Sequence, residues 1–240
     1  MTVLRTLLIL AAGFLLFSVS RNAAAQPPSP DLLARLAVHA ATIDRMRTHA
    51  SYAFEGELDS LDSDGAVSSV KSVSARVVGD GERARFIVLK CTEDGKDVTE
   101  DARKQAKTGN DKTKEQRAKE HLEMPFVADA QANYVFDQVA VDPADETRVQ
   151  IAFVPKEPSE HTSEGSVWVD TKSGTFLSAG FKLSKPGFFV DFVHVTLEFG
   201  EKTAAGPAIS KVTVDGKGGL LFLRKHFRGE ARMSDYRVVP

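Results

Sequence analysis

The chain has 240 residues, of which 31 are basic and 33 acidic, so its net charge is −2 at neutral pH. This balance gives no support for nucleic-acid binding, which needs a basic surface. With a single cysteine the chain cannot form an internal disulfide, so the fold must be held together by burial of apolar side chains.

Residues 1–25 have the composition of a secretory signal peptide. A short basic start containing Arg5 precedes an apolar run, and Ala23, Ala24 and Ala25 supply the small residues that a signal peptidase needs. We predict cleavage before Gln26, with an uncleaved anchor as the alternative, because the apolar run is short for a membrane span. The mature chain, residues 26–240, is long enough for one domain with its own core and does not span the membrane.

The first predicted helix covers residues 31–49. Ser29 is a capping residue, and Pro30 suits the first helical position. Apolar residues then recur at helical spacing at Leu32, Leu33, Leu36, Ala40 and Ile43. The pattern indicates an amphipathic helix with one apolar stripe.

After this helix, apolar and polar side chains alternate, as in half-buried strands. Turn residues such as Gly79-Asp80-Gly81 separate the segments. Strands are predicted at residues 52–58, 67–78, 83–91, 134–141, 148–155, 165–170, 175–184, 188–199 and 220–227. The hairpin-length connections favour one antiparallel sheet of about ten strands, which should curl around the helix. The predicted fold class is therefore α+β, mainly β.

Residues 92–124, here called the charged segment, differ from the rest of the chain. Lys, Arg, Asp and Glu are frequent there, and large apolar residues are scarce. The composition predicts one or two exposed helices broken near Gly109-Asn110, or a partly disordered excursion. We interpret the segment as a solvated flap, with a mobile lid or a docking surface as the alternative. Cys91, which ends the preceding strand, is predicted to be buried and structural.

Two predicted strands depart from simple alternation. In residues 188–199 and 220–227, apolar side chains occupy both faces over the first part of each strand. Both faces must then be shielded from water by a covering helix or by a ligand. The predicted lipid-binding cavity is lined by Phe188, Val190, Phe192, Leu220 and Phe222.

No catalytic residue, metal site or cofactor is predicted. The sequence lacks metal-ligand spacing, a phosphate-binding glycine loop and a nucleophile elbow. Its six histidines are scattered, and each is expected at the surface or at a rim. A hydrolase with an unrecognised site remains an alternative, which a cluster of convergent polar groups in a cleft would favour.

The layout resembles that of LolA-like periplasmic lipoprotein carriers. The matching stretches are Asp31-Leu32-Leu33, Ile43-Asp44-Arg45-Met46, Tyr52-Ala53-Phe54-Glu55-Gly56, Gly165-Ser166-Val167-Trp168-Val169-Asp170, Ser173-Gly174-Thr175 and Ser234-Asp235-Tyr236-Arg237. The resemblance implies a strongly curved, incomplete β-barrel with helices in its mouth and an apolar cavity for lipoprotein acyl chains. The charged segment departs from this pattern and no acyl-release arginine can be matched, so no functional residue is carried over.

Two functions are compatible with this reading. The first is a non-catalytic periplasmic carrier for lipid or lipoprotein acyl chains, with residues 97–124 available to an envelope protein partner. The second is a periplasmic structural or signal-sensing module whose core is filled by the helix and which binds no lipid. A continuous apolar cavity would favour the carrier, and close packing would favour the module.

Overall fold

The computed structural model describes residues 26–113, 116, 122–187, 190–220 and 223–238. Its first helix, α1, spans Pro30–His49, which confirms the helix predicted at residues 31–49. The Ser29 hydroxyl accepts a hydrogen bond from the Leu32 backbone N–H at 3.2 Å, and Asp31 places negative charge at the positive end of the helix dipole. Local capping therefore fixes where the helix begins.

Most of the described chain is strand. The strands are β1 (Ala50–Leu61), β2 (Val67–Gly79), β3 (Ala84–Glu93), β4 (Lys96–Asp97), β5 (Tyr134–Asp142), β6 (Asp145–Pro155), β7 (Ser163–Asp170), β8 (Thr175–Leu183), β9 (Val190–Glu198), β10 (Glu201–Thr203), β11 (Gly206–Ala208), β12 (Lys211–Leu220) and β13 (Leu223–Val238). Eleven of these form one antiparallel sheet in the order β4-β3-β2-β1-β13-β12-β9-β8-β7-β6-β5, while β10 and β11 form a separate ribbon. The sheet is not closed, which confirms the predicted incomplete barrel.

The chain first forms one edge of this sheet and later forms the opposite edge. From β1 it steps outward to β4, then passes through helices α2 (Thr99–Asn110) and α3 (Ala128–Gln131) to β5 at the opposite edge. It then returns to β13, which pairs with β1 from Ala50 opposite Val238 to Leu61 opposite His226. None of the helices in the described part of the chain is both long and apolar enough to cross a membrane.

Residues 220–227 were predicted to form one strand, and this prediction is wrong. β12 ends at Leu220, β13 begins at Leu223, and these two residues pair with each other. Leu220 and Leu223 therefore belong to two antiparallel strands, so the alternation across residues 220–227 does not describe one strand. The sequence prediction missed β12 because its three glycines weaken the strand signal.

One face of the sheet, here called the inner face, packs against α1. A row of paired residues crosses this face from β6 to β3: Ile151, Val167, Ala179, Leu197, Val212, Ala231, Gly56, Val73 and Cys91. Leu32, Leu36 and Ile43 of α1 are buried against the β6–β8 end of the face. The main core therefore lies at that end, beneath the helix.

α2 lies along the edge of β3 and bonds to backbone groups that a further strand would otherwise pair with. The Asn110 amide donates to the Phe86 carbonyl at 3.0 Å and accepts from the Phe86 N–H at 2.9 Å. Arg103 donates to two carbonyls further along β3, and the Thr99 hydroxyl bonds both backbone groups of Cys91. These contacts protect the edge from strand addition.

A small second core lies beneath α2. Ala102 packs against Val88 and Cys91, and Cys91 is 1% exposed, which confirms the prediction of a buried thiol. The helix predicted before Gly109 is therefore present, but it is anchored to the sheet rather than fully solvated. Short alanine side chains make this contact, which is why a count of large apolar residues did not reveal it.

Candidate apolar ligand site

A cavity of about 330 Å³ lies between the second half of α1, residues 122–126 and the inner face of β6 to β9. Its volume falls within the range of roughly 300–1,000 Å³ that is usual for small-molecule sites. The apolar and aromatic lining consists of Ala40, Ile43, Met46, Tyr52, Leu122, Met124, Pro125, Phe126, Phe153, Val167, Phe176, Ala179, Phe181, Leu197, Phe199, Ala208, Ile209 and Tyr236.

The cavity begins where α1 carries smaller side chains. In the first half of the helix, Leu32 and Leu36 fill the space above the sheet and are almost fully buried. One turn further on, Ala40 lines the cavity together with Ala179 and Ala208, and these short side chains fill less of the space between helix and sheet. The inner face is therefore filled beneath the first half of α1, while the second half, with Ala40, Ile43 and Met46, borders the cavity.

Five polar side chains border this apolar space: Arg47, Tyr52, Glu123, Ser163 and Tyr236. The two tyrosine rings stack with centroids 4.7 Å apart, and the Tyr236 hydroxyl donates to the Ile209 carbonyl at 2.7 Å. Burial raises the pKa of both phenols, so both stay neutral and can donate hydrogen bonds. Apolar walls with a few polar groups are typical of a binding site.

A second cavity, of about 450 Å³, lies between α2 and the inner face of β1, β2, β3, β12 and β13. Its lining is also mainly apolar and includes Phe54, Leu58, Val73, Phe86, Val88, Cys91, Ala102, Ala106, Val212, Val214, Ala231 and Met233. Leu197 of the first cavity pairs with Val212 of the second, and neighbouring strands lie about 4.8 Å apart. The two cavities therefore adjoin along the inner face.

The chain has distant similarity to several solved structures. The chain is similar to a DUF1329 family protein from Desulfovibrio piger ATCC 29098, with 13% identity over 89% of this chain and 94% of that chain and a TM-score of 0.41. It is also similar to a putative outer membrane lipoprotein-sorting protein domain from Vibrio parahaemolyticus, with 10% identity, 84% and 92% coverage and a TM-score of 0.37.

A further likeness is to the MucA/MucB complex of Pseudomonas aeruginosa, with 11% identity over 88% of this chain and 99% of that chain and a TM-score of 0.28. No family model matches the chain, and no curated protein matches it in sequence. What the protein binds is inferred from the cavities themselves.

Two of the residues predicted to line the lipid cavity, Val190 and Phe192, lie in β9. The Phe192 ring lies 5.3 Å from the His194 ring and 5.9 Å from the His226 ring, on the face of β9 opposite to Leu197. Val190 pairs with Gly218, and neither Val190 nor Phe192 is among the described residues that line the two cavities.

The other three predicted lining residues give no further test. Phe188 and Phe222 lie outside the described residues, and for Leu220 the structure gives the strand pairing with Leu223. This group therefore stays a prediction. The residues that line the two cavities were not predicted, because they come from elements that are far apart in the sequence and only the sheet order brings them together.

His39 shows that the prediction of surface histidines was wrong at one position. It is 5% exposed, and its ring lies 5.0 Å from that of Phe176. Nδ1 accepts a hydrogen bond from the Phe176 backbone N–H at 3.0 Å, while Nε2 lies 2.9 Å from the Pro207 carbonyl. These partners require a neutral ring with its proton on Nε2. The sequence did contain a signal for this burial, because His39 lies beside Leu36 and Ile43 on the apolar stripe of α1.

Proposed function

We propose that the protein is a non-catalytic periplasmic binding or carrier protein whose ligand is a lipid or a lipoprotein acyl chain. On this proposal residues 1–25 direct export and are removed, and the mature domain holds the apolar part of its ligand against the inner face. The observation that carries the proposal is the apolar cavity between α1 and the sheet, which adjoins a second one beneath α2.

The energetic basis is burial of hydrocarbon. Each acyl methylene removed from water contributes about 0.8 kcal/mol. The described lining offers many apolar contacts and few hydrogen-bond partners, which suits an acyl chain better than a sugar, nucleotide or peptide. Backbone groups of the inner face are paired within the sheet, so they do not compete for a polar ligand.

A structural or signal-sensing module remains the competing function. It would require the inner face to be filled, as it is beneath Leu32 and Leu36. The space around Ala40 and Ala179 favours the carrier. Residues 97–124 stay a predicted docking segment for an envelope protein, with the qualification that α2 also serves the sheet by covering the edge of β3.

Two neighbouring residues of β9 provide a matched test. Leu197 lines the first cavity, while Thr196 is exposed on the opposite face. If the indole of Leu197→Trp displaces about two methylenes of the ligand, binding loses about 1.6 kcal/mol, which is more than tenfold in affinity. Titration with a fluorescent fatty acid should show this loss for Leu197→Trp and wild-type affinity for Thr196→Trp. Equal affinities for both folded variants would contradict the assignment of this cavity.

A further inference from the structure

His39 packs against aromatic residues of the first cavity and is not itself among the described lining residues. Its ring lies 5.0 Å from that of Phe176 and 6.1 Å from that of Phe199, and both phenylalanines line the cavity. The Phe176 ring in turn lies 5.3 Å from that of Phe126, a third lining residue. A movement of the His39 ring would therefore displace side chains that a ligand in the cavity contacts.

Two hydrogen bonds hold the His39 ring between α1 and the strands. Nδ1 accepts from the Phe176 backbone N–H at 3.0 Å, near the start of β8, and Nε2 donates to the Pro207 carbonyl of β11 at 2.9 Å. Ala208, the neighbour of Pro207, also lines the cavity. This one side chain therefore joins α1, β8 and β11 beside the cavity.

Protonation of the ring is incompatible with one of these two bonds. A charged imidazole carries a proton on both nitrogens, so its Nδ1 can no longer accept from the Phe176 N–H. Two donors would then face each other, and a positive charge would lie among phenylalanine rings. The protonated ring and the Phe176 backbone must therefore move apart.

The groups that contact the His39 ring do not titrate. They are the backbone groups of Phe176 and Pro207 and the rings of Phe176 and Phe199. Burial lowers the pKa of His39, and the bond to Pro207 opposes this in part. Charged residues on the surrounding elements form no hydrogen bond to His39 in the described part of the chain; they are Arg35, paired with Asp31 on α1, Asp170 and Lys172 before β8, Glu198 at the end of β9, and Glu201 and Lys202 on β10, which pairs with β11.

We propose that His39 is a pH-dependent positioning residue of the first cavity, whose neutral ring holds Phe176 and Phe199 in the ligand-binding arrangement and whose protonation weakens ligand binding. A ligand seated against these two rings favours their present arrangement, so it binds the neutral form more tightly. By linkage, the bound ligand must in turn disfavour protonation of His39. This inference rests on the proposed lipid-binding function and concerns its regulation.

The probe is N-phenyl-1-naphthylamine, an apolar fluorophore that carries no charge between about pH 7.5 and about pH 5.0, the range that spans histidine titration. Its fluorescence measures binding to residues 26–240 of the wild type, of His39→Gln and of His226→Gln. Glutamine keeps one donor and one acceptor but does not titrate. His226 is a matched control, because it is a histidine that contacts Asp215 and Phe192 on the opposite face of the sheet. Circular dichroism at each pH shows whether the chain is folded.

We expect the wild type to lose at least about fivefold in affinity between about pH 7.5 and about pH 5.0. The loss should begin only below the ordinary histidine pKa of 6.5, because the pKa of His39 is lowered. His39→Gln should lose much less, and His226→Gln should follow the wild type. In nuclear magnetic resonance, His39 of the wild type should titrate at a lower pH when the probe is bound, which tests the linkage without any substitution.

Two kinds of result would contradict this role of His39, and they are distinguishable. If the wild type and His39→Gln lose affinity equally, or if the probe does not shift the titration of His39, the cavity binds apolar molecules but His39 does not regulate it. If His39→Gln does not fold, the titration of wild-type His39 with and without the probe decides. If the probe does not bind the wild type at about pH 7.5, the proposed lipid-binding function fails, and the role of His39 fails with it.

Discussion

Replacement of His39 by glutamine tests how α1 is joined to the sheet. Glutamine keeps one donor and one acceptor, so it can bond to the Phe176 N–H and the Pro207 carbonyl, but it gains no proton near neutral pH. Burial lowers the pKa of His39, and the contact with Pro207 opposes this in part. The substitution therefore removes the titration while retaining the hydrogen-bonding capacity.

The direction in which stability changes with pH follows from the sign of the pKa change in His39. Because the pKa is lower in the folded chain, the unfolded chain binds more protons below its ordinary value of 6.5, and protonation favours unfolding. The contribution of neutral His39 to stability is complete above that value and is lost as the pH falls through it toward the folded pKa. At a pH about one unit below the ordinary value, the loss is at most about 1.4 kcal/mol.

Urea unfolding at about pH 7.5 and about pH 5.5 measures this loss. The wild type should lose up to about 1.4 kcal/mol more than His39→Gln between the two pH values. His161→Gln is the control for replacing a histidine by glutamine, because His161 is exposed. If His39→Gln lost as much stability at the lower pH as the wild type, the neutral buried role of His39 would be refuted.

Three further predictions follow from the packing around α2 and the second cavity. Asn110→Ala should lower the free energy of unfolding in urea by about 1–3 kcal/mol, because both backbone groups of Phe86 lose their side-chain partner. The Cys91 thiol should react with a thiol reagent only after unfolding, since it is buried. Ala231→Phe, beside the junction of the two cavities, should weaken binding of long fatty acids more than that of short ones.

Two of these predictions have a control variant on an exposed face. Lys104→Ala, on the solvent side of α2, should leave stability nearly unchanged, so an equal loss for both helix variants would contradict the edge-covering role of Asn110. Rapid labelling of native Cys91 would contradict its burial. Ser234→Phe, at an exposed position of β13, should not alter the dependence on chain length, and an equal effect of both β13 variants would count against a shared acyl path.

The elements predicted best from the sequence are those marked by local signals such as capping and turn residues. α1 is bounded by Ser29 and Pro30 at its start, and the β2–β3 hairpin is marked by Gly79 and Gly81, so their positions were predicted to within a few residues. β12 was missed because glycine-rich strands carry a weak signal. The apolar stretch around Leu220 was then read as part of one strand, although the chain reverses between β12 and β13.

The residues of the candidate site could not be predicted from the sequence, for a different reason. An apolar residue on a strand looks the same in sequence whether a helix, a ligand or a cavity lies above it. The pairing of Leu197 with Val212 and of Ala231 with Gly56 depends on strand order, which no local pattern encodes.

Lipid extraction and mass spectrometry of the protein purified from its native envelope test the central claim most directly. The proposed function predicts that acylated molecules are recovered from the wild type and are depleted in Leu197→Trp, whereas Thr196→Trp retains them. Absence of bound lipid from the native protein, together with no uptake of a fluorescent fatty acid, would contradict the proposed function.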